Sequence, residues 1–145
     1  MPTPTTDATR PVREYFESFG RGDFDTVKAQ FAEHALVTVP GRGKLSGEYR
    51  GASGFTRFLE ILGSHVDADR SGFGVDDLAA GGRYVIVREV ARLARRDVPD
   101  RVWELPLLLR FTVQDDRIAE LNIVPEDAQN YDEFWSTSAP DQRSR

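Results

Sequence analysis

Val12-Arg13-Glu14-Tyr15-Phe16-Glu17-Ser18-Phe19-Gly20-Arg21-Gly22-Asp23-Phe24, continuing to Gly51, is the stretch that decides the fold. Val12, Tyr15, Phe16 and Phe19 fall at i, i+3, i+4 and i+7, one apolar stripe along a helix. Gly20 and Gly22 stop that helix, and Asp23 is placed to cap a second one carrying Phe24, Val27 and Phe31. A short strand follows, Leu36-Val37-Thr38-Val39-Pro40. The glycine-rich segment from Gly41 to Gly51 then reads as a hairpin or flap.

Working outward, a third helix repeats the stripe with Phe55, Phe58, Leu59 and Leu62 and closes at Gly63. Beyond Val66 the chain turns to strands. Tyr84–Leu93, Val102–Val113 and Ile118–Val124 are rich in Val, Ile and Leu. Turn signals bound them at Gly81-Gly82, Asp97-Val98-Pro99-Asp100 and Gln114-Asp115-Asp116. Tyr131-Asp132-Glu133-Phe134-Trp135 reads as a short aromatic helix folding back onto the sheet or its mouth. Three helices followed by an antiparallel meander predict an α+β fold. The strands are long enough to curl around the helices, so the concave face would line a cavity.

One domain is expected over residues 9–136, with mobile polar tails at 1–8 and 137–145. A net charge of −5 argues against nucleic acid or an anionic membrane as the main partner. The longest apolar run, Leu105 to Leu109, contains Pro106 and falls far short of the roughly 20 residues of a membrane helix. Met1 to Asp7 has no apolar signal core, so a cytoplasmic location is expected. Without cysteine there is no disulfide, thiolate nucleophile or cysteine–zinc site. His34 and His65 are the only histidines, stand far apart and lack supporting carboxylate spacing; no metal and no cofactor is expected. Gly41-Arg42-Gly43-Lys44 lacks the phosphate-loop spacing, and Arg42 and Lys44 are expected at the cavity rim.

The order of elements from Val12 to Gly51, the Asp116-Arg117-Ile118 turn and the aromatic end resemble the NTF2-like superfamily, specifically its SnoaL-like polyketide cyclase and ketosteroid isomerase branch. The resemblance implies a cone: a curved antiparallel sheet wrapped around three N-terminal helices, enclosing a pocket for an apolar small molecule. It also implies a homodimer built through the outer sheet face. Tyr15 falls where the steroid isomerase carries its oxyanion-hole tyrosine; otherwise it is a core tyrosine with a satisfied hydroxyl. The isomerase's aspartate base is replaced by Val39, before Pro40, and its second acidic donor by a residue near Leu107. Apolar side chains move no protons, so the isomerase mechanism is discarded and its container kept. The Asp-Arg-Asp arrangement of limonene-type epoxide hydrolases has no counterpart beyond Arg88-Glu89, whose side chains take opposite strand faces.

Alternation in Val85-Ile86-Val87-Arg88-Glu89-Val90-Ala91-Arg92-Leu93 puts Glu89 with Val85, Val87, Ala91 and Leu93. With the two arginines outward, Glu89 stands inside among apolar groups, where desolvation raises its pKa toward acid–base use. The competing register sets it outside in an arginine ion pair. Tyr15 and Glu89 are therefore the expected catalytic pair. The expected substrate-binding wall comprises Phe19, Val37, Val39, Tyr49, Phe55, Phe58 and Leu59 from the first half. Val87, Trp103, Leu105, Leu107, Leu109, Leu121 and Ile123 complete it from the strands.

These residues point to a cofactor-independent cyclase or isomerase of an apolar polyketide-type intermediate. A small-molecule carrier or dimerising scaffold is the alternative. An epoxide-opening or dehydrating relative would need a second inward polar group beside Glu89, either Tyr49 or His65.

Overall fold

The apolar stripe folds as helix α1, Thr9–Gly20, burying Val12, Tyr15 and Phe16. The computed structural model describes residues 7–136, so the expected tails lie outside the described residues except for Asp7 and Ala8. Gly22 adopts φ 73° after α1, and Asp23 caps helix α2 (Phe24–Ala29) by accepting from the Thr26 backbone N–H at 3.2 Å. Phe31 does not end this helix. It begins strand β1, Phe31–Val39, five residues ahead of the expected Leu36 start. The Gln30 carbonyl accepts from Ile118 N–H at 2.7 Å, and that pairing draws the chain into the sheet before the α2 stripe is complete.

Strand β2 (Gly47–Arg50) forms the hairpin with β1, and helix α3 (Gly51–His65) runs past Gly63 before the chain returns to extended structure. A 3-10 turn at Ala68–Arg70 leads into β3 (Gly72–Gly81), a strand that carries no sequence signal because nearly every position is exposed. It exists through its full-length antiparallel pairing with β4 (Tyr84–Ala94). β5 (Val102–Gln114) and β6 (Arg117–Pro125) follow, joined by a turn in which Asp115 and Asp116 take φ 52° and 62°. Aspartate tolerates that left-handed conformation in two-residue hairpins.

The six strands form one curved sheet in the order β2-β1-β6-β5-β4-β3. β1 and β6 run parallel while every other pair is antiparallel, so the N-terminal hairpin is stitched to the end of the meander. Along β5, Trp103, Leu105, Leu107, Leu109, Phe111 and Val113 are buried and alternate with exposed or half-buried residues. The helices lie on that buried face: the Tyr15 ring meets the Phe111 ring at 5.5 Å.

Helix α4 (Ala128–Phe134) crosses the start of β5 and closes one end. Trp103 Nε1 donates to Glu133 Oε1 at 2.8 Å, and the Trp135 carbonyl accepts from Lys44 N–H at 2.7 Å. Gly43 permits that approach, since a Cβ there would stand 2.4 Å from Trp135 Cβ. Gly43→Ala should therefore lift α4 and cost about 1–3 kcal/mol, the usual range for overpacking. Hydrogen exchange should show faster exchange concentrated in α4; a uniform effect, or none, would contradict the contact.

Candidate active site

Strand β4 sets the site because its period of two decides which side chain faces the helices. Val85, Val87 and Ala91 are buried and Tyr84 and Ile86 exposed, which turns Glu89 inward. Arg88 faces out, paired with Asp76 and, at 2.7 Å, with Glu126, so the outer ion pair belongs to other carboxylates. Burial alone pushes the Glu89 carboxyl from its ordinary 4.5 up to about 7. Among the described residues no hydrogen bond compensates that charge.

Tyr15 reaches the same interior from α1 and is 6% exposed. Its ring packs edge-on against Phe16 and Phe31, with centroids 5.0 and 5.9 Å away. Burial raises its phenol above the ordinary value, and the Glu89 charge adds to the effect. The hydroxyl thus stays protonated, feels Glu89, and has no hydrogen bond within the protein holding its proton. Such a group is a ready donor to a developing oxyanion.

The remaining expected residues divide. Val37, Val39, Phe55, Phe58, Val87, Leu105, Leu107, Leu109, Leu121 and Ile123 are buried in one core, with Phe19 and Leu59 half-buried against it. Trp103 is spent on Glu133. Tyr49 donates its hydroxyl to the Leu45 carbonyl at 2.6 Å, and His65 is hydrogen-bonded to the Phe134 carbonyl. Neither stands free as the second polar group beside Glu89. His34 is exposed at the start of the sheet.

Tyr131 takes that place instead. It is 3% exposed; burial raises its phenol, the neighbouring Trp135 side chain opposes this, and Tyr49, Asp132 and Glu89 add smaller upward contributions. Beside it, Trp135 Nε1 is buried and has no hydrogen-bond partner among the described residues, the rings 6.3 Å apart. The apolar spacing of Tyr131, Phe134 and Trp135 signals a buried face on α4 but not which interior the Tyr131 hydroxyl meets.

Two cavities accompany this interior, and neither is lined by Tyr15 or Glu89. One, of about 110 Å³, is bounded by Phe31, Val37, Tyr49 and Phe55 beside Lys28 and Glu33. Phe31, one of its lining residues, packs its ring against both Phe55, with centroids 4.6 Å apart, and Tyr15, at 5.9 Å. Around Tyr15 itself, the rings of Phe16, Phe31 and Phe111 pack at 5.0, 5.9 and 5.5 Å. The other cavity, of about 220 Å³, is polar and lies among Lys44, His65 and Arg95 to Asp97.

Residues 12–121 match the SnoaL-like domain. The chain belongs to the SnoaL-like domain family. This is a family of cyclase- and isomerase-type, small-molecule-binding proteins within the NTF2-like superfamily. No curated protein matches the chain. Among solved structures, an NTF2-like protein of unknown function from Burkholderia pseudomallei is 19% identical, covering 92% of this chain and 99% of its own, with a TM-score of 0.80. Bal32a, from a soil-derived mobile gene cassette, is 20% identical over 90% of this chain and 98% of its own, at 0.78. TerC, co-crystallised with polyporic acid, is 13% identical over 88% and 96%, at 0.77. These likenesses establish the α+β fold of this SnoaL-like chain. Among its described residues no helix is long and apolar enough to cross a membrane.

Because burial raises Glu89, the native state keeps a proton that the unfolded chain has already lost. Its contribution to stability therefore falls as pH rises from about 4.5 through about 7. The complete loss is about 3 kcal/mol at one pKa unit per 1.36 kcal/mol. Glu89→Gln should match the parent protein near pH 4.5 and exceed it near pH 8.5 by up to that amount, read from urea unfolding. A difference independent of pH would mean that Glu89 is solvated.

Proposed function

We propose that this chain is a cofactor-independent cyclase or isomerase acting on an apolar, carbonyl-bearing intermediate of polyketide type. The observation that carries this reading is the inward meeting of Tyr15, a neutral phenol, and Glu89, a carboxyl poised at about 7, neither committed to a hydrogen bond. Ionised Glu89 takes a proton from the carbon beside a carbonyl. Tyr15 donates to that carbonyl oxygen as it gains charge. The resulting carbon nucleophile closes on a second carbonyl, and Glu89 returns its proton to the new alkoxide. Where no second carbonyl is in reach, return of the proton to a different carbon gives an isomerase. The apolar wall holds the flexible substrate near its attack geometry, and Tyr131 and Trp135 Nε1 offer further donors. Membership of a cyclase-type family supports the reading, as does a neighbour of this fold co-crystallised with polyporic acid.

A second reading has its own support. Aromatic rings surround Tyr15, and neither of the two cavities is lined by it, which favours a dimerising scaffold over a small-molecule carrier. Turnover of poly-carbonyl substrates, followed by mass spectrometry, separates the two. On the enzymatic reading, Tyr15→Phe and Glu89→Gln each lower turnover at least ~10²-fold. The parent's kcat/KM should rise through about pH 7 as Glu89 ionises, and that limb should vanish in Glu89→Gln. Saturable binding without product would leave the carrier, and variants with full turnover would remove these roles from Tyr15 and Glu89.

The outer face fits a second copy of the chain. Tyr84, Ile86, Leu108 and Val124 are exposed large apolar residues on β4, β5 and β6, and Leu108 pairs directly with Val124. Charges of both signs surround them, in Arg92–Glu104 at 3.6 Å and Arg110–Glu120 at 3.7 Å. A two-fold interface presents the same patch twice, so mixed charges can pair across it. Sedimentation should give a dimer, and Leu108→Glu a folded monomer; a dimer that survives this change would place the interface elsewhere.

A further inference from the structure

The polar cavity carries an excess of positive charge that the interior site does not use. About 220 Å³ in size, it lies between the end of α3, the β1–β2 loop and the β4–β5 turn. Among its described lining residues three cations, Lys44, Arg95 and Arg96, stand against one carboxylate, Asp97, in a chain whose net charge is −5. Arg95 and Asp97 cancel each other: the guanidinium, 1% exposed, grips Asp97 through Nε at 2.9 Å and Nη2 at 2.8 Å. Its Nη1 donates to Glu133 O and Ser136 Oγ. Arg96 spends only Nε, on Gly63 O at 2.8 Å. Lys44 is fixed through its backbone by the Trp135 carbonyl. Among the described residues neither Lys44 nor Arg96 forms an ion pair. Asp67 feels the Arg96 charge but is already paired with Arg70 at 2.8 Å.

We propose that this basin is an oxyanion site, taking the carboxylate or phosphate-monoester group of a small molecule between Lys44 and Arg96. Its volume holds several waters at about 30 Å³ each, and so a group of that size. It is separate from the interior around Glu89 and stands whether or not that site is catalytic.

His65 reports on the basin. The Phe134 carbonyl accepts from Nε2, so Nε2 carries the hydrogen and Nδ1 becomes a second donor only on protonation. Burial first, then Arg95 and Lys44, hold its pKa below the ordinary value, while the Phe134 hydrogen bond and Asp97 oppose them. The other charged groups around it are Arg96 on the same turn and, on α4, Asp132 and Glu133. Glu133 is paired with Arg101 at 2.8 Å, and Asp132 accepts from Arg42 N–H at 3.2 Å. A bound anion offsets the cations that disfavour imidazolium. Anion binding therefore raises the His65 pKa, and protonation tightens the anion by the same factor.

The experiment is an imidazole NMR titration of the full chain, which has only two histidines. Sodium sulfate, whose charge is constant over the range, is compared with sodium chloride at equal ionic strength. Sulfate should raise the His65 pKa saturably and leave exposed His34 unmoved. Lys44→Gln and Arg96→Gln, both at exposed positions, should each weaken sulfate roughly fivefold or more, in line with couplings of this kind. Acetate and methyl phosphate then compete with sulfate: the tighter competitor assigns carboxylate or phosphate, and either supports the site. Parallel, unsaturating shifts of both histidines would reveal general screening and overturn the proposal. So would glutamine variants that bind sulfate as the parent does.

Discussion

Strand register on β4 and β5 is the constraint from which both faces of this protein follow. Glu89 sits opposite Leu107, and Arg88 opposite Leu108, in one uninterrupted antiparallel ladder. Side chains alternate with a period of two, so a slip of one residue would send Arg88 and Arg110 inward and Val87 and Leu109 to solvent. The register is over-determined. Seven alternate side chains of the pair, Val85, Val87, Trp103, Leu105, Leu107, Leu109 and Phe111, are buried, and removing even two or three from the core would cost several kcal/mol. Glu89 is carried inside by its neighbours. On its own, a carboxylate would choose water.

Helix α4 is the second determinant, because it joins two environments of opposite character. Tyr131 faces the Glu89 interior, and Trp135 packs against both Tyr131 and His65, the latter at 4.9 Å. His65 lines the cationic basin. A single indole thus separates a desolvated carboxyl from a cluster of cations. The helix is held from both sides: by Gly43, the Lys44 amide and the Trp103–Glu133 hydrogen bond, and by Arg95, Arg101 and His65, which bond to Glu133 and Phe134. Motion of α4 would alter both environments together.

What could be read from the chain follows from where the free energy lies. Stripes such as Val12-Tyr15-Phe16-Phe19 and the alternation of β5 report burial, and burial builds α1 and the central strands. β3 was invisible because its residues bury little, so its strand conformation comes from β4 rather than from its own composition. Phe31 was misread for a related reason: its apolar spacing suits α2 as well as β1, and only pairing with β6 decides between them. The inward face of Glu89 was legible from the two arginines beside it. Tyr131 as the polar neighbour was not, because α4 docks through long-range contacts with Gly43 and Trp103 that no local pattern encodes. The openness of the interior was likewise hidden, since Phe31, Phe55 and Phe111 line a chamber and fill one with the same composition.

The energetic position of Glu89 bears on the choice between catalyst and scaffold. A scaffold would be more stable with a leucine there, since the half-buried carboxyl has no compensating hydrogen bond and its ionisation opposes folding. Tyr15, Tyr131 and Trp135 repeat the pattern: three bulky aromatic residues, each carrying a polar atom into the core. One unsatisfied group is tolerable in a native core, and each added one weakens the fold. Among the described residues Trp135 Nε1 is the buried polar atom without a partner, and Glu89 adds a desolvated carboxyl to which Tyr15 and Tyr131 are electrostatically coupled. A bound molecule with oxygen functions at matching positions would satisfy these groups together. The desolvated carboxyl surrenders folding stability, and that cost weighs toward the proposed binding or catalytic interior over a scaffold.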